Sequence, residues 1–120
     1  MSPLDIQVNG YAGTDFNRDG LTAEALHHAC ECLVADGCAQ ILATFITDTI
    51  ENLEHRIGTL VALMEKDALA RQVIAGIHIE GPFTNPEKGY VGAHPPQCVK
   101  PANLEDAKRL LAAEIGRAHV

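Results

Sequence analysis

Within residues 76–96 (GIHIEGPFTNPEKGYVGAHPP), His78, Glu80 and His94 are side chains with the chemistry to hold a ligand or move a proton. The stretch grows out of an apolar strand over residues 73–79 and ends in a loop rich in Gly and Pro. In a strand, alternate residues point to opposite faces, so Ile77 and Ile79 share one face and His78 and Glu80 the other. A carboxylate on an apolar strand is costly to bury unless a cation or hydrogen-bond donors meet it. Glu80, at the strand's carboxyl end, is therefore a metal ligand, a proton-transfer group or an ion-pair partner. Gly81-Pro82 then stops the strand and sets a turn. Read as plain architecture, the same arrangement is a strand end whose acid meets solvent or an arginine.

The elements that would carry these residues can be read from periodicity. Residues 4–9 alternate: Leu4, Ile6 and Val8 on one face, Asp5, Gln7 and Asn9 on the other. Residues 10–20 (GYAGTDFNRDG) read as a loop. It fits neither the P-loop nor the dinucleotide fingerprint. Residues 22–36 read as a helix capped by Thr22 and ended by Gly37, with Leu26, Cys30, Leu33 and Val34 as its buried stripe. His27 and His28 fall at solvent-facing positions. Residues 39–47 are a near-continuous apolar run, as in a strand covered on both faces. Asp48 is placed to cap a second helix, with Glu51 completing a capping box, and Ile50, Leu53, Ile57, Leu60 and Met64 repeat at helical spacing. Met64 is core filling rather than part of a cofactor site. After the strand at residues 73–80 and its loop, Asn103 can cap a third helix carrying Leu104, Ala107, Leu110 and Leu111. Strand and helix thus alternate three times, the mark of an α/β fold with parallel strands. Pattern alone fits a barrel and an open doubly wound sheet equally, since both gather sites at the carboxyl ends of their strands.

Bulk properties narrow the function. A length of 120 residues makes one modest domain. With 47% hydrophobic and 21% charged residues the composition is that of a globular chain. A net charge of −7 argues against nucleic acid or an anionic membrane surface as partner. No apolar run is long enough to span a bilayer and no signal peptide opens the chain. Cys30, Cys32, Cys38 and Cys98 match no zinc or redox spacing and read as reduced thiols, which points to a cytoplasmic protein.

The wording of the central stretch is more specific. HIEGPF followed by GAHPP resembles the N-acetylglucosamine-6-phosphate deacetylases of the amidohydrolase superfamily. Residues 5–10 (DIQVNG) look like that family's first barrel strand and residues 42–48 (LATFITD) like its second, so the likeness runs from about Pro3 to Leu111. The resemblance implies a (β/α)8 barrel of the TIM type, represented here by its first three strand–helix units. It implies that Glu80 is a ligand of one catalytic divalent cation, zinc or similar, and that Ala93 and His94 contact an amino-sugar phosphate substrate. It implies hydrolysis of the acetamide of N-acetylglucosamine 6-phosphate by a protein that is a homo-oligomer. Many amidohydrolases carry His-x-His on the first strand; Gln7-Val8-Asn9 stands here instead. An amide oxygen is a poor zinc ligand beside imidazole, so the departure favours a mononuclear site. Gln7 and Asn9 then either support the site from behind or make ordinary hydrogen bonds at a strand end. His78, on Glu80's face, reads as a supporting group rather than a ligand. Another amide hydrolase of the superfamily, or a non-catalytic α/β piece, remains an alternative.

A closed barrel of this kind takes eight strand–helix units and about 250 residues. The family's two metal-binding histidines and its catalytic Asp lie on later strands, and its small β domain also lacks a counterpart here. Residues 114–120 read EIGRAHV. The codons GAG ATC GGA AGA GCA CAC GTC, which run through a common short-read sequencing adapter, encode that peptide. Residues 1–113 are therefore expected to be the partial hydrolase barrel and residues 114–120 a foreign tail, with His119 excluded as a ligand.

Overall fold

The three apolar runs become parallel strands, and the helices between them cover one side of the sheet. The computed structural model of the chain describes residues 3–113 and 118–119. In order these form β1 (Leu4–Val8), β2 (Gly10–Tyr11), β3 (Thr14–Asp15), α1 (Ala23–Ala35), β4 (Gln40–Ile46), α2 (Ile50–Glu65), α3 (Ala68–Val73), β5 (Ile74–Glu80), α4 (Leu104–Ala113) and β6 (Ala118–His119). The main sheet has the order β1-β4-β5-β6, every pairing parallel. The suspected foreign tail lies mostly outside the described residues, β6 being its described part.

Ile41, Ala43 and Phe45 of β4 and Ile77 and Ile79 of β5 point to the same side. They are buried there with Leu26, Cys30 and Leu33 of α1, and with Leu53, Ile57 and Leu60 of α2, in one core. Each such side chain contributes about 1.5–3 kcal/mol by leaving water. On the opposite side Leu42 is half-buried and Ile46 exposed, while His78 and Glu80 are partly open. Burial pushes the Cys30 thiol up to about 11, so it stays protonated and inert at neutral pH. All four cysteines are free, as their spacing suggests. No described helix is long and apolar enough to cross a membrane.

Several local expectations change. The first strand does not alternate cleanly. Asp5 pairs with Ile41 but Val8 with Ala43, so a bulge places one extra residue between them. Val8 keeps its place in the core, whereas Leu4 and Ile6 are exposed. The bulge frees the Gln7 amide, which donates to Asp5 Oδ1 at 2.9 Å. The loop at residues 10–20 contains a small antiparallel hairpin, β2–β3, that sends Phe16 into the core.

The helices also differ in detail. Thr22 caps α1 as its type suggests, but Val34 is exposed because Ala29 and Cys30 hold the buried turn between Leu26 and Leu33. The cap of α2 is Thr49, whose hydroxyl accepts the Asn52 amide at 3.2 Å. Asp48 sits one residue earlier and accepts from the Thr49 amide and from Asn52 and Arg56. Glu51 forms no capping box with it; it pairs with Arg109 of α4. The third strand begins at Ile74 because α3, capped by Asp67, takes up Val73. Leu104 and Leu111 of α4 are exposed, and Leu110 alone of its leucines is buried.

Candidate functional site

The site forms where β1, β4 and β5 end. A parallel sheet brings all its strand carboxyl ends to one edge, and the loops that follow meet there. β5 ends on Glu80, and Gly81-Pro82, joined by a cis peptide, turns the chain away. The returning loop brings Ala93 and His94 back over the end of β4. β1 contributes Gln7, which the bulge aims at the same point. The result is a cavity of about 310 Å³ lined by Gln7, Asn9, Ile46, Glu80, Ala93, His94 and Pro95.

Within it the carboxylate of Glu80 is the centre. Gln7 Nε2 donates to Glu80 Oε2 at 2.8 Å. On the other side His94 Nε2 lies 4.0 Å from Glu80 Oε1. His94 is held from behind, with Nδ1 2.6 Å from the hydroxyl of Thr47. The same hydroxyl donates to the Glu80 carbonyl at 3.2 Å. Of the residues singled out in the sequence, Gln7, Asn9, Glu80, Ala93 and His94 share this cavity, whereas His78 is not among its lining residues. His78 Nδ1 instead donates to the Ile6 carbonyl at 3.2 Å, a group in the β1 bulge. It thus bears on Glu80 only indirectly, by fixing the backbone beside Gln7.

The chain is similar to known proteins in sequence and in fold. Over 97 residues the chain is 33% identical to an N-acetylglucosamine-6-phosphate deacetylase of Haemophilus influenzae, a match spanning 81% of this chain and 24% of that protein. Its relatives are N-acetylglucosamine-6-phosphate deacetylases. The Bacillus subtilis deacetylase is 28% identical over 108 residues, spanning 88% of this chain and 26% of that one. Among solved structures, the Mycobacterium smegmatis deacetylase superposes with a TM-score of 0.75 at 25% identity, covering 95% of this chain and 30% of its own. A mutant of that enzyme in complex with N-acetyl-D-glucosamine-6-phosphate gives a TM-score of 0.76. No protein-family model matches the chain. The chain spans about a quarter of the length of the deacetylases it matches.

Among the described residues no three His, Cys, Asp or Glu side chains come together as a metal site. A catalytic zinc takes three protein ligands. This stretch by itself therefore does not fit a complete metal centre. What it offers is one carboxylate, oriented by an amide donor and open on its second oxygen.

Two supporting residues are not evident from the sequence. Thr47 reads there only as the end of an apolar strand. Asn17 lies in the glycine-rich loop, yet its side chain accepts from the Ile46 amide at 2.8 Å and donates to the Thr44 carbonyl at 2.9 Å. It so continues the ladder beyond β1 and ties the β2–β3 hairpin to the end of β4. The Asn-Arg-Asp-Gly wording marks a turn, but nothing local names the strand that the asparagine reaches.

Proposed function

We propose that this chain is the stretch of a metal-dependent deacetylase that carries its first metal ligand and part of its substrate loop. The reaction is hydrolysis of the acetamide of N-acetylglucosamine 6-phosphate, giving glucosamine 6-phosphate and acetate. The observation that carries this reading is the convergence of Glu80, Ala93 and His94 on one cavity at the carboxyl end of parallel strands. The sheet is read as an arc of a (β/α)8 barrel. Its helix-covered face is the outer wall, and the face bearing Ile46, His78 and Glu80 is the interior that further strands would close.

Glu80 would be the ligand this stretch contributes to one divalent cation, zinc or similar. When bound, such a cation supplies Lewis acidity that polarises an amide carbonyl. Gln7 fixes which Glu80 oxygen is free by occupying Oε2. Gln7 itself stands where a second metal would need an imidazole, which fits a mononuclear site. His94, with Ala93, would position the sugar phosphate through the ring nitrogen facing the cavity. Two histidines and the acid that shuttles the proton from water to the leaving amine would come from outside these 120 residues. In this reading the protein is a cytoplasmic homo-oligomer of amino-sugar catabolism, and residues 114–120 are the translated adapter. Genomic sequence running through EIGRAHV with natural flanking codons would refute that last point.

The test is acetate release. The isolated 120-residue chain, with zinc and N-acetylglucosamine 6-phosphate, is expected to release none, because one carboxylate is too few ligands. The full-length enzyme carrying this stretch is expected to release acetate. Its Glu80→Gln variant should lose more than the roughly 10–100-fold typical of an outer-shell change. Turnover by the isolated chain, or full activity in Glu80→Gln, would overturn the assignment.

A further inference from the structure

Three consecutive residues in the β1 bulge each give a backbone group to a side chain. His78 Nδ1 donates to the Ile6 carbonyl at 3.2 Å, Asp5 Oδ1 accepts from the Gln7 amide at 2.9 Å, and the Thr44 hydroxyl accepts from the Val8 amide at 3.1 Å. Of these contacts the Thr44 one is buried, and Thr44 itself is fully buried. Its hydroxyl proton goes to the Leu42 carbonyl at 3.2 Å, so one rotamer serves both partners. The register shows what this holds in place. Paired residues on neighbouring strands share a face, and Asp5 pairs with Ile41. An unbroken ladder from that point would set Gln7 opposite Ala43 and Val8 opposite Thr44. Ala43 lies in the helix-covered core, whereas Thr44 pairs with His78 on the face of Glu80. Without the extra residue, Gln7 would enter the core and Val8 would turn to the Glu80 side. The bulge exchanges the two: Val8 pairs with Ala43, and Gln7 reaches Glu80 Oε2 at 2.8 Å.

We propose that Thr44 is the positioning residue for Gln7: its hydroxyl locks β1 in the bulged register that turns the Gln7 amide, and not Val8, toward Glu80. Thr44 is not among the residues lining the cavity, so it acts on the site through β1. A valine there would keep the branching but offer the Val8 amide no oxygen. That end of β1 would then open more readily, and Gln7 with it. In the deacetylase reading the consequence is a carboxylate held in one orientation for its cation. That consequence alone rests on the reading; the register claim does not.

The experiment has two arms. The first is proton–nitrogen NMR on the 15N-labelled chain. The native chain is expected to show a slowly exchanging Val8 amide. It should also show a Gln7 side-chain amide proton displaced from its position in Glu80→Ala, where the acceptor is gone. Thr44→Val should speed Val8 exchange by roughly fivefold or more, the equivalent of one ordinary hydrogen bond, and move the Gln7 signal toward its Glu80→Ala position. Thr44→Ser, which keeps the hydroxyl, should restore both. The second arm is the zinc affinity of the full-length enzyme for Thr44→Val, Gln7→Leu and the pair. Because Thr44 acts through Gln7, the double variant should bind zinc no more weakly than Gln7→Leu alone. An unprotected Val8 amide in the native chain overturns the proposal, as does an unmoved Gln7 signal in a folded Thr44→Val. So does a double variant whose losses simply add. Should Thr44→Val fail to fold, the native Val8 exchange and Gln7 signal still decide. If the full-length protein binds no zinc, the deacetylase reading fails while the NMR arm still tests the register.

Discussion

Gln7 and Glu80 are separated by 73 positions in the chain, yet the Gln7 amide nitrogen donates to Glu80 Oε2 at 2.8 Å. β4 lies between their two strands, so the bond crosses the sheet at its carboxyl edge. It holds the carboxylate in one orientation and leaves Oε1 toward the cavity. In the proposed reading Glu80 is a metal ligand, and groups that orient one in this way typically carry 10–100-fold in affinity. Gln7→Leu in the full-length enzyme should therefore weaken divalent-cation binding by about that factor, read by competition with a chelating indicator. Unchanged affinity would mean that Glu80 is oriented by something else.

Gly81→Ala tests the close approach behind the site. The substitution faces a left-handed backbone, φ +94°, and an overlap with the Thr47 hydroxyl. Gly37→Ala is the control: its φ is +89°, but its Cβ would meet open space. The backbone term alone costs about 1–2 kcal/mol, so both variants should lower the urea midpoint. Gly81→Ala should lower it further, and only Gly81→Ala should disturb the His94 ring signals. Equal losses would show that the Thr47 hydroxyl yields without cost.

Burial separates two apolar residues that the sequence treats alike. Phe45 is fully buried on the helix-covered face of β4, and Leu104 at the start of α4 is 72% exposed. Phe45→Ala should destabilise by about 3–5 kcal/mol, enough to unfold much of a marginal domain. Leu104→Ala should stay within about 0.5 kcal/mol. Circular dichroism of the two variants against urea checks the contrast.

Much of this was open to reading from the chain itself, and the failures have a common cause. Periodicities of two and of three to four residues located the strands and the long helices, because burial on one face imposes them. Glu80 stood out since an acid on an apolar strand demands a partner. What stayed hidden depends on residues distant in the chain. The β1 bulge answers to the register with β4, and Asp5 only stabilises it once formed. Thr49 rather than Asp48 caps α2, and Asp48 also accepts from Arg56, a partner two turns further on. The short α3 opens with Asp67, a good cap, but six residues of helix make no periodic signal. Asn17 and Thr47 act through partners that no local pattern names.

His27 joins α1 to α3 in a way that should depend on pH. Its Nδ1 lies 2.9 Å from Asp67 and its Nε2 3.3 Å from Glu31. A neutral ring can donate from one nitrogen only, so both contacts are met by the imidazolium. The hydrogen bond to Asp67 is the chief cause that raises the His27 pKa above its ordinary 6.5. A group whose pKa is higher in the folded state adds stability that is complete below its unfolded value. That stability is lost as pH rises through the folded one. Asp67 moves the opposite way. Burial pushes its carboxyl up, but the Ala70 amide and His27 outweigh this and hold it below the ordinary 3.8. Its contribution is present above the unfolded carboxylate value and fades as pH falls through the folded one. The urea midpoint should therefore decline as pH is raised through the window above 6.5. Asp67→Asn keeps an oxygen to cap α3 while removing the charge, so it should flatten that decline. The difference between the two curves is the quantity to read. Parallel curves would show that the His27–Asp67 contact contributes nothing to folding, and added salt should shrink the difference if it does.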